Sequence, residues 1–286
     1  MAGWKRNVLD GIPVHQASTI SWLPGIVQGF STRLGGVSQK PLDSMNMSLA
    51  VGDTPDNVAQ NRARAIGALA GENLPYASAA QVHGNHVAVV TEAATEPIAD
   101  TDALITNVPD IMLLMVFADC VPIYFCDPVK RVVGLAHSGW RGTAVNVSGR
   151  TVAAIEREYG AEPGELYCSI GPSISAERYE VDVEVVDALK NAWPGGAVSP
   201  MTPKNEFTSK FLCNLRLIVF DQLVSAGIRP ERIAVSDECT FRNKKDFFSH
   251  RRDSAKGGAT GRMAGIIGLR PMDEGFAWPD DDAKTK

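Results

Sequence analysis

The sequence predicts an α/β fold, of the mixed α+β kind, in which mixed or antiparallel sheets have helices outside them. Short apolar runs outnumber helical stripes along the 286 residues, and several runs follow one another without a helix between them. Apolar runs of roughly five to eight residues bounded by turn residues favour buried strands, because helices need greater length. No Gly-x-Gly-x-x-Gly follows any predicted strand, which argues against a doubly wound dinucleotide-binding sheet.

The N-terminal part of the chain predicts a strand, a glycine loop and a helix. Residues 29–33 form the strand and residues 34–38 the loop, where glycine lets the backbone come close to other groups. Thr54 and Pro55 begin the helix, because a hydroxyl caps the first turn and proline suits its first position. Gly71 ends this helix.

The middle of the chain predicts three consecutive strands, residues 111–118, 123–126 and 132–136. Cys120 and His137 sit where two of these strands end. A packed sheet holds its strand ends in place, so reactive groups there have little positional freedom.

The remaining elements complete one predicted domain, residues 1–270, followed by a loose acidic and polar tail, residues 271–286. Thr143 is expected to cap the first of the later helices, and the last helix has the most regular amphipathic pattern. The other predicted strands are residues 77–82, 87–91, 103–106, 166–170, 232–235 and 263–269, and the later helices are residues 143–159, 181–193 and 209–226.

Composition excludes several classes of protein. The net charge of −5 argues against a general nucleic-acid binder, which normally carries a basic surplus. No apolar run is long enough to span a bilayer, and the charged N-terminal residues do not resemble a secretory signal. Five widely spaced cysteines, an odd number, predict free thiols and a cytoplasmic location.

Three side chains suggest a metal site. Of the five histidines, His83 and His137 share with Cys120 a position at a strand end. One thiolate and two imidazoles suit Zn²⁺, and three protein ligands leave a position for water, as in catalytic zinc sites. Asp119 adjoins the thiolate and is a candidate for proton transfer or for orienting a ligand. The alternative is that Cys120 is a small buried apolar residue and the histidines are bonded to backbone.

Basic residues suggest an anion site. Arg141 lies at the predicted start of a helix, where N–H groups attract anions, and Arg33 lies beside the glycine loop. The alternative for each, which the sequence favours equally, is a surface arginine that binds no anion. Residues 241–262 carry seven basic side chains against two acidic ones. This run is either an anion-attracting rim or a solvated loop, and the solvated loop is the more common case for most of these side chains.

Several motifs together resemble one family, the YfiH family, also called the laccase-domain or polyphenol-oxidase-like family. The most specific are residues 81–84 (QVHG), 102–106 (DALIT), 118–123 (ADCVPI) and 137–143 (HSGWRGT). Further matches are residues 31–38, 51–53, 61–62, 170–174, 179–181, 251–253 and 260–264.

The resemblance implies a single layered α-β-β-α domain with a metal held by His83, Cys120 and His137. It also implies a purine nucleoside enzyme, which phosphorolyses adenosine, inosine, guanosine or methylthioadenosine and deaminates adenosine. Nucleoside and phosphate are then the partners, with Arg33, Asn46 and Arg141 as candidates for binding them. Other members were described as copper oxidases or as peptidoglycan-precursor editing factors, so Cu²⁺ is the alternative metal. The oligomeric state, monomer or small homo-oligomer, stays open.

Some positions depart from the pattern of this family. Ser138 replaces an expected alanine, and Arg242 replaces a cysteine that often follows residues 239–241, which excludes a cysteine pair there. Met47, Ser48 and Ala50 replace an expected leucine, glycine and histidine near Asn46. These changes affect the predicted substrate pocket and leave the metal ligands intact.

Three other functions are alternatives to this one. A single copper at the same ligands would give strong visible absorption. A cysteine hydrolase would use Cys120 as nucleophile and His137 as base, with no need for metal. A binding module would hold nucleoside without consuming it. A multicopper oxidase is excluded, because five histidines without any His-x-His pair are too few for its copper clusters.

Overall fold

Two six-stranded sheets form the centre of the computed structural model, which describes residues 3–196, 199–205, 209–255 and 257–272. The strands are β1 Trp4–Leu9, β2 Ile12–Ala17, β3 Ile26–Ser31, β4 Tyr76–Ser78, β5 Val87–Val89, β6 Ala103–Thr106, β7 Met112–Phe117, β8 Val121–Asp127, β9 Val132–Ser138, β10 Tyr167–Ile170, β11 Glu180–Val181, β12 Met201–Pro203, β13 Phe211–Cys213, β14 Ile233–Val235 and β15 Met263–Leu269. The helices are α1 Pro55–Ala70, α2 Trp140–Ala144, α3 Val147–Tyr159, α4 Val183–Ala192, α5 Leu215–Ser225 and α6 His250–Ser254.

Both large sheets are mixed, as the sequence predicts. The first has the strand order β1-β2-β3-β15-β7-β4 and the second β14-β10-β8-β9-β6-β5. Most neighbours are antiparallel, whereas the pairs β4–β7, β5–β6 and β10–β14 are parallel. A small sheet, β11-β13-β12, stands apart from them.

The layers follow from three apolar clusters. Phe30 and Phe117 of the first sheet pack against Tyr124 and Leu135 of the second, so the two sheets stack face to face. Ile66 of α1 belongs to a cluster on the outer face of the first sheet. Side chains of α3 and α5 cover the outer face of the second sheet. The α-β-β-α arrangement is confirmed.

Strand register brings the reactive residues together at one end of the interior strands β6, β8 and β9 of the second sheet. In the β8–β9 hairpin Pro122 lies opposite His137, so Cys120, just before β8, comes close to His137. In the β6–β9 pair Ala103 lies opposite Ala136, and the His137 N–H donates to the carbonyl of Asp102 at 2.8 Å. Residues 102, 120 and 137, distant in sequence, therefore meet.

The predicted helix at residues 209–226 is wrong in its first part. Phe211–Cys213 is a strand, β13, which pairs with both β11 and β12. Helix α5 begins only at Leu215, where the side chain of Asn214 accepts a hydrogen bond from Leu217 N at 3.2 Å. The apolar residues at 211 and 212 fit both a helical and a strand pattern, and sheet pairing decides between them.

The predicted helix at residues 143–159 is two helices, α2 and α3. Asn146 has a left-handed conformation, with φ of 55°, and its side chain caps α3 by accepting from Gly149 N. Thr143 is therefore not the cap of the long helix. Its hydroxyl donates to the Gly139 carbonyl and is hydrogen-bonded to Ser138 Oγ, which satisfies the extra hydroxyl at that family position.

Within the described residues, no helix is both long and apolar enough to cross a bilayer. The predicted loose tail falls at residues 271–286, of which residues 273–286 lie outside the described part of the chain.

Candidate metal centre

The structure brings His83, Cys120 and His137 into one cluster. Their candidate ligand atoms all lie within 4.8 Å of one another, and the two imidazole rings are 4.8 Å apart between centroids. His137 is buried, Cys120 is half-buried and His83 is exposed. The cluster therefore opens to solvent on the His83 side, which leaves room for a small molecule to approach.

Asp102 organises both histidines. Its Oδ1 is 2.8 Å from His137 Nδ1 and accepts a hydrogen bond from His83 N at 3.1 Å. Its Oδ2 accepts from the N–H groups of Val82 and Gly84 at 3.1 and 2.7 Å. These bonds hold the loop in which His83 has an unusual positive φ of 63°. One buried carboxylate thus fixes the position of two candidate ligands.

The Asp102–His137 contact also selects a tautomer. A proton on Nδ1 directed at the carboxylate leaves the Nε2 lone pair free, which is typical of metal-binding histidines. Burial alone would raise the pKa of Asp102, but the hydrogen bond and charge of His137 lower it, helped by the N–H groups of the loop. Sequence reasoning missed this role, and the only indication of it was the position of Asp102 in the DALIT motif.

Cys120 and His137 shift each other's pKa. Burial raises the pKa of Cys120, but the positive charge of His137 and hydrogen bonds from both histidines lower it to about 6. Burial lowers the pKa of His137, whereas the Cys120 thiolate and the Asp102 hydrogen bond raise it to about 9. Both shifts favour the thiolate–imidazolium form of the pair when no metal is bound. Since a metal needs the neutral imidazole, its binding would displace the His137 proton.

Gly139 leaves space for the ligand atoms. A Cβ at this position would lie 2.7 Å from His83 Nδ1 and 3.0 Å from Cys120 Sγ. Its φ of −78° is open to any residue, so the requirement for glycine here is steric. A histidine nitrogen and a thiolate that converge over a bare backbone fit a metal of the zinc or copper type.

We expect Gly139→Ala to fold normally but to lower zinc affinity at least about tenfold, because the new methyl displaces ligand atoms. Competition with a chromophoric chelator measures this affinity. Gly84→Ala is the matched control, because its Cβ would meet neighbours only at 3.6 Å. Equal zinc affinity in wild type and Gly139→Ala would show that the crowding does not reach the ligands.

The carboxylate of Asp119 is held by hydrogen bonds from residues 240–251. Its Oδ1 accepts from Thr240 Oγ1 at 2.6 Å. Its Oδ2 accepts from Ser249 Oγ at 3.0 Å and from Arg251 N at 2.7 Å. Asp119 itself has a φ of 85° and precedes Cys120 directly. Both carboxylate oxygens are thus engaged in fixing the turn that presents the thiolate, and the predicted role in proton transfer stays a prediction.

The three predicted substrate-binding residues have different surroundings. Arg33 donates through Nε and Nη2 to the Asp43 carbonyl at 3.1 and 3.0 Å and lies over the Phe248 ring. Asn46 is buried, and its Oδ1 accepts from Arg262 N at 3.0 Å. Arg141 is exposed and stacks on the Trp140 ring at 4.1 Å, two residues after Gly139. Their roles in binding stay predictions.

The solvated-loop interpretation of residues 241–262 is wrong for part of the run. The side chain of Arg252 is only 9% exposed, and its guanidinium donates to the carbonyls of Thr240, Phe241 and Phe247. Arg251 and Arg262 are also partly buried. Net charge along a sequence does not distinguish solvated cations from cations that bind backbone carbonyls.

Comparison with known proteins identifies the family. A family model described as multi-copper polyphenol oxidoreductase laccase matches residues 27–270. The chain is 38% identical over 255 residues to "Purine nucleoside phosphorylase YlmD" of Bacillus subtilis, covering 86% of this chain and 89% of that protein. It is 34% identical over 249 residues to "Purine nucleoside phosphorylase YfiH" of Escherichia coli, covering 86% and 94%.

A solved structure gives the same result for the fold. The crystal structure of the Bacillus licheniformis hypothetical protein YfiH superposes with a TM-score of 0.85 at 33% identity and covers 93% of this chain and 99% of that one. The sequence matches, this superposition and the laccase-domain match together show that the chain belongs to the YfiH family of laccase-like domains.

Proposed function

We propose that this protein is a zinc-dependent purine nucleoside enzyme. It phosphorolyses adenosine, inosine, guanosine or methylthioadenosine to base and sugar 1-phosphate, and it deaminates adenosine. The observation that carries this proposal is the cluster of His83, Cys120 and His137, open on one side. It occurs in a chain 38% identical to a protein named as a purine nucleoside phosphorylase.

Each residue of the centre has a proposed task. His83, Cys120 and His137 hold the metal, and Asp102 keeps the His137 ring in the tautomer that leaves Nε2 free. Zinc held there supplies a Lewis acid that polarises an oxygen or nitrogen atom of the substrate. The geometry favours Asp119 as a positioning residue for Cys120, because both of its oxygens accept hydrogen bonds from residues 240–251.

Phosphorolysis also needs a site for phosphate. Cleavage of a glycosidic bond passes through an oxocarbenium-like transition state, which an adjacent anion stabilises and then attacks. We assign phosphate binding to Arg33 and Arg141, as the sequence predicts, since guanidinium groups bind phosphate in a bidentate manner. Asn46, the third predicted binding residue, accepts a hydrogen bond from the backbone N–H of Arg262.

Two other functions, a copper oxidoreductase and a cysteine hydrolase, are each favoured by one observation. The description of the matching family model names copper oxidoreductases, and two histidines with one cysteine also suit a blue-copper site. The thiolate–imidazolium pair is typical of a cysteine hydrolase, which is the form that peptidoglycan-precursor editing would take. Strong visible absorption would support copper, and turnover by metal-free protein that a thiol alkylator stops would support the hydrolase.

The deciding experiment combines metal analysis with product analysis. Zinc-loaded protein is incubated with adenosine or inosine, with and without inorganic phosphate, and the products are separated by chromatography. We expect adenine or hypoxanthine only with phosphate, and inosine from adenosine in either case. Nucleoside that binds but is not consumed would identify a binding module instead. If zinc-loaded protein forms no base and no inosine, the proposed function is wrong.

A further inference from the structure

We propose that Arg262 is an anion-binding residue of the metal centre and holds the phosphate used in phosphorolysis. This inference rests on the proposed function for the identity of the anion. It adds to Arg33 and Arg141 a third arginine, from the run that the sequence assigns mostly to a solvated loop.

Strand register places Arg262 beside the cluster. Met263, the first residue of β15, lies opposite Phe117, the last residue of β7, in an antiparallel pair. Arg262 directly precedes β15 and therefore lies next to the turn at residues 118–120, which carries the thiolate. The Phe117 ring is 5.4 Å from the His137 ring between centroids. The end of β7 and the start of β15 therefore lie beside the candidate metal cluster.

Local contacts hold Arg262 in place. Its N–H donates to Asn46 Oδ1 at 3.0 Å, and Asn46 in turn donates to the Ser48 carbonyl and to Asp53. Its Nη1 donates to the carbonyls of Thr260 and Gly261 at 2.8 and 3.2 Å. Asn46 therefore fixes the backbone of Arg262, and the two carbonyls fix its Nη1. A guanidinium held in this way is preorganised and loses little freedom when it binds a ligand.

The charge of Arg262 has no carboxylate partner within ion-pair distance in the described part of the chain. Asp119, the acid of the neighbouring turn, directs its oxygens to Thr240, Ser249 and Arg251. Burial lowers the pKa of Arg262, and the charges of Cys120 and Asp119 raise it, which agrees with a guanidinium that faces the centre. A partly buried cation without an acidic partner favours an incoming anion.

The other two arginines are less available. Arg33 already lies 3.7 Å from the Asp43 carboxylate and donates to the Asp43 carbonyl. Arg141 is exposed, where solvent weakens its attraction for an anion. Arg262 combines partial burial, fixed backbone and a free charge, so its contribution to anion binding should exceed theirs.

The test uses the zinc-loaded, full-length protein and inorganic phosphate as probe. We expect Arg262→Met to raise the KM for phosphate about 10- to 100-fold, the usual effect of losing a charge-assisted contact. This rise should exceed any change in zinc content, in the KM for nucleoside and in the rate of phosphate-independent adenosine deamination. Arg262→Lys should recover part of the phosphate affinity. Arg242→Met is the matched control, because that arginine is 56% exposed and pairs with Glu177.

Calorimetric titration with phosphate separates this inference from the proposed function. If wild type binds phosphate and Arg262→Met does not, Arg262 is the anion residue even if no nucleoside is turned over. Equal phosphate binding by wild type, Arg262→Met and Arg262→Lys would overturn the inference, whatever the activity. If Arg262→Met does not fold, Arg262→Lys is the deciding variant. Lysine keeps the positive charge but cannot bind phosphate in the bidentate manner of arginine. Unchanged phosphate affinity of Arg262→Lys would therefore also contradict the assignment.

Discussion

Replacing Cys120 with alanine is expected to abolish stoichiometric zinc binding and to lower kcat/KM for adenosine roughly a thousandfold. Cys120 is the one anionic donor of the His83–Cys120–His137 cluster, and its lowered pKa of about 6 makes it a thiolate at neutral pH. Two imidazoles alone bind zinc weakly. The loss of metal catalysis is commonly worth several kcal/mol, which corresponds to about this factor in rate.

Cys126→Ala is the matched control for this variant. Cys126 lies on β8, fully buried, and burial raises the pKa of its thiol, so it is protonated and inert. Its removal should cost about 1 kcal/mol of stability and leave zinc content unchanged. Metal content by atomic emission and steady-state rates are measured for both variants. A Cys120→Ala protein that retains one zinc and normal rates would exclude the proposed centre.

The sequence is enough to select the three candidate ligands, but it does not predict the carboxylate that positions two of them. His83, Cys120 and His137 stand out because they share strand-end positions and lie in motifs of one family. The role of Asp102 depends on the pairing of β6 with β9, which places Ala103 opposite Ala136. Hydrophobic periodicity gives the location of strands and not their partners, so it cannot predict this contact.

The N-terminal hairpin was missed although the sequence contains an indication of it. Asp10 and Gly11 connect β1 to β2 with positive φ values of 45° and 77°, which is typical of a two-residue type I′ turn. An Asp-Gly pair between two mixed apolar segments is a known hairpin pattern. By contrast, β13 could not be separated from α5, because Phe211 and Leu212 continue the apolar spacing of that helix.

The contacts of Asp119 favour a positioning role over the proton transfer that its place in the sequence suggests. The sequence places a carboxylate next to the thiolate, which is compatible with proton transfer or with orientation of the ligand. In the structure the carboxylate joins the Cys120 turn to Thr240 and to the segment that begins α6. Ser249 N also donates to Asp253 Oδ2, which accepts from Thr260 Oγ1, and the Thr260 carbonyl accepts from Arg262 Nη1. The candidate metal ligand Cys120 and the proposed anion residue therefore share one supporting network.

Replacing Asp102 with alanine should have the second largest effect, on both metal affinity and stability. The variant loses the partner of His137 Nδ1 and the acceptor for three loop N–H groups. Removal of such a carboxylate typically lowers metal affinity 10- to 100-fold, about 1.4 to 2.7 kcal/mol. Breaking a buried charged pair costs about 3–5 kcal/mol of folding stability, although part of this is relieved when His137 becomes neutral.

Asp102→Asn separates the two contributions. Asparagine retains an acceptor oxygen for the loop, so stability should fall less than in Asp102→Ala, whereas the missing negative charge still lowers the basicity of His137. The control is Asp127→Asn, a buried carboxylate at the other end of β8 that accepts from Val129 N and Lys130 N at 2.9 Å. Chemical denaturation of the metal-free variants gives the stability, and chelator competition gives the zinc affinity. If Asp102→Asn binds zinc as tightly as wild type and Asp127→Asn, then Asp102 only supports the loop, and the orientation of His137 does not depend on its charge.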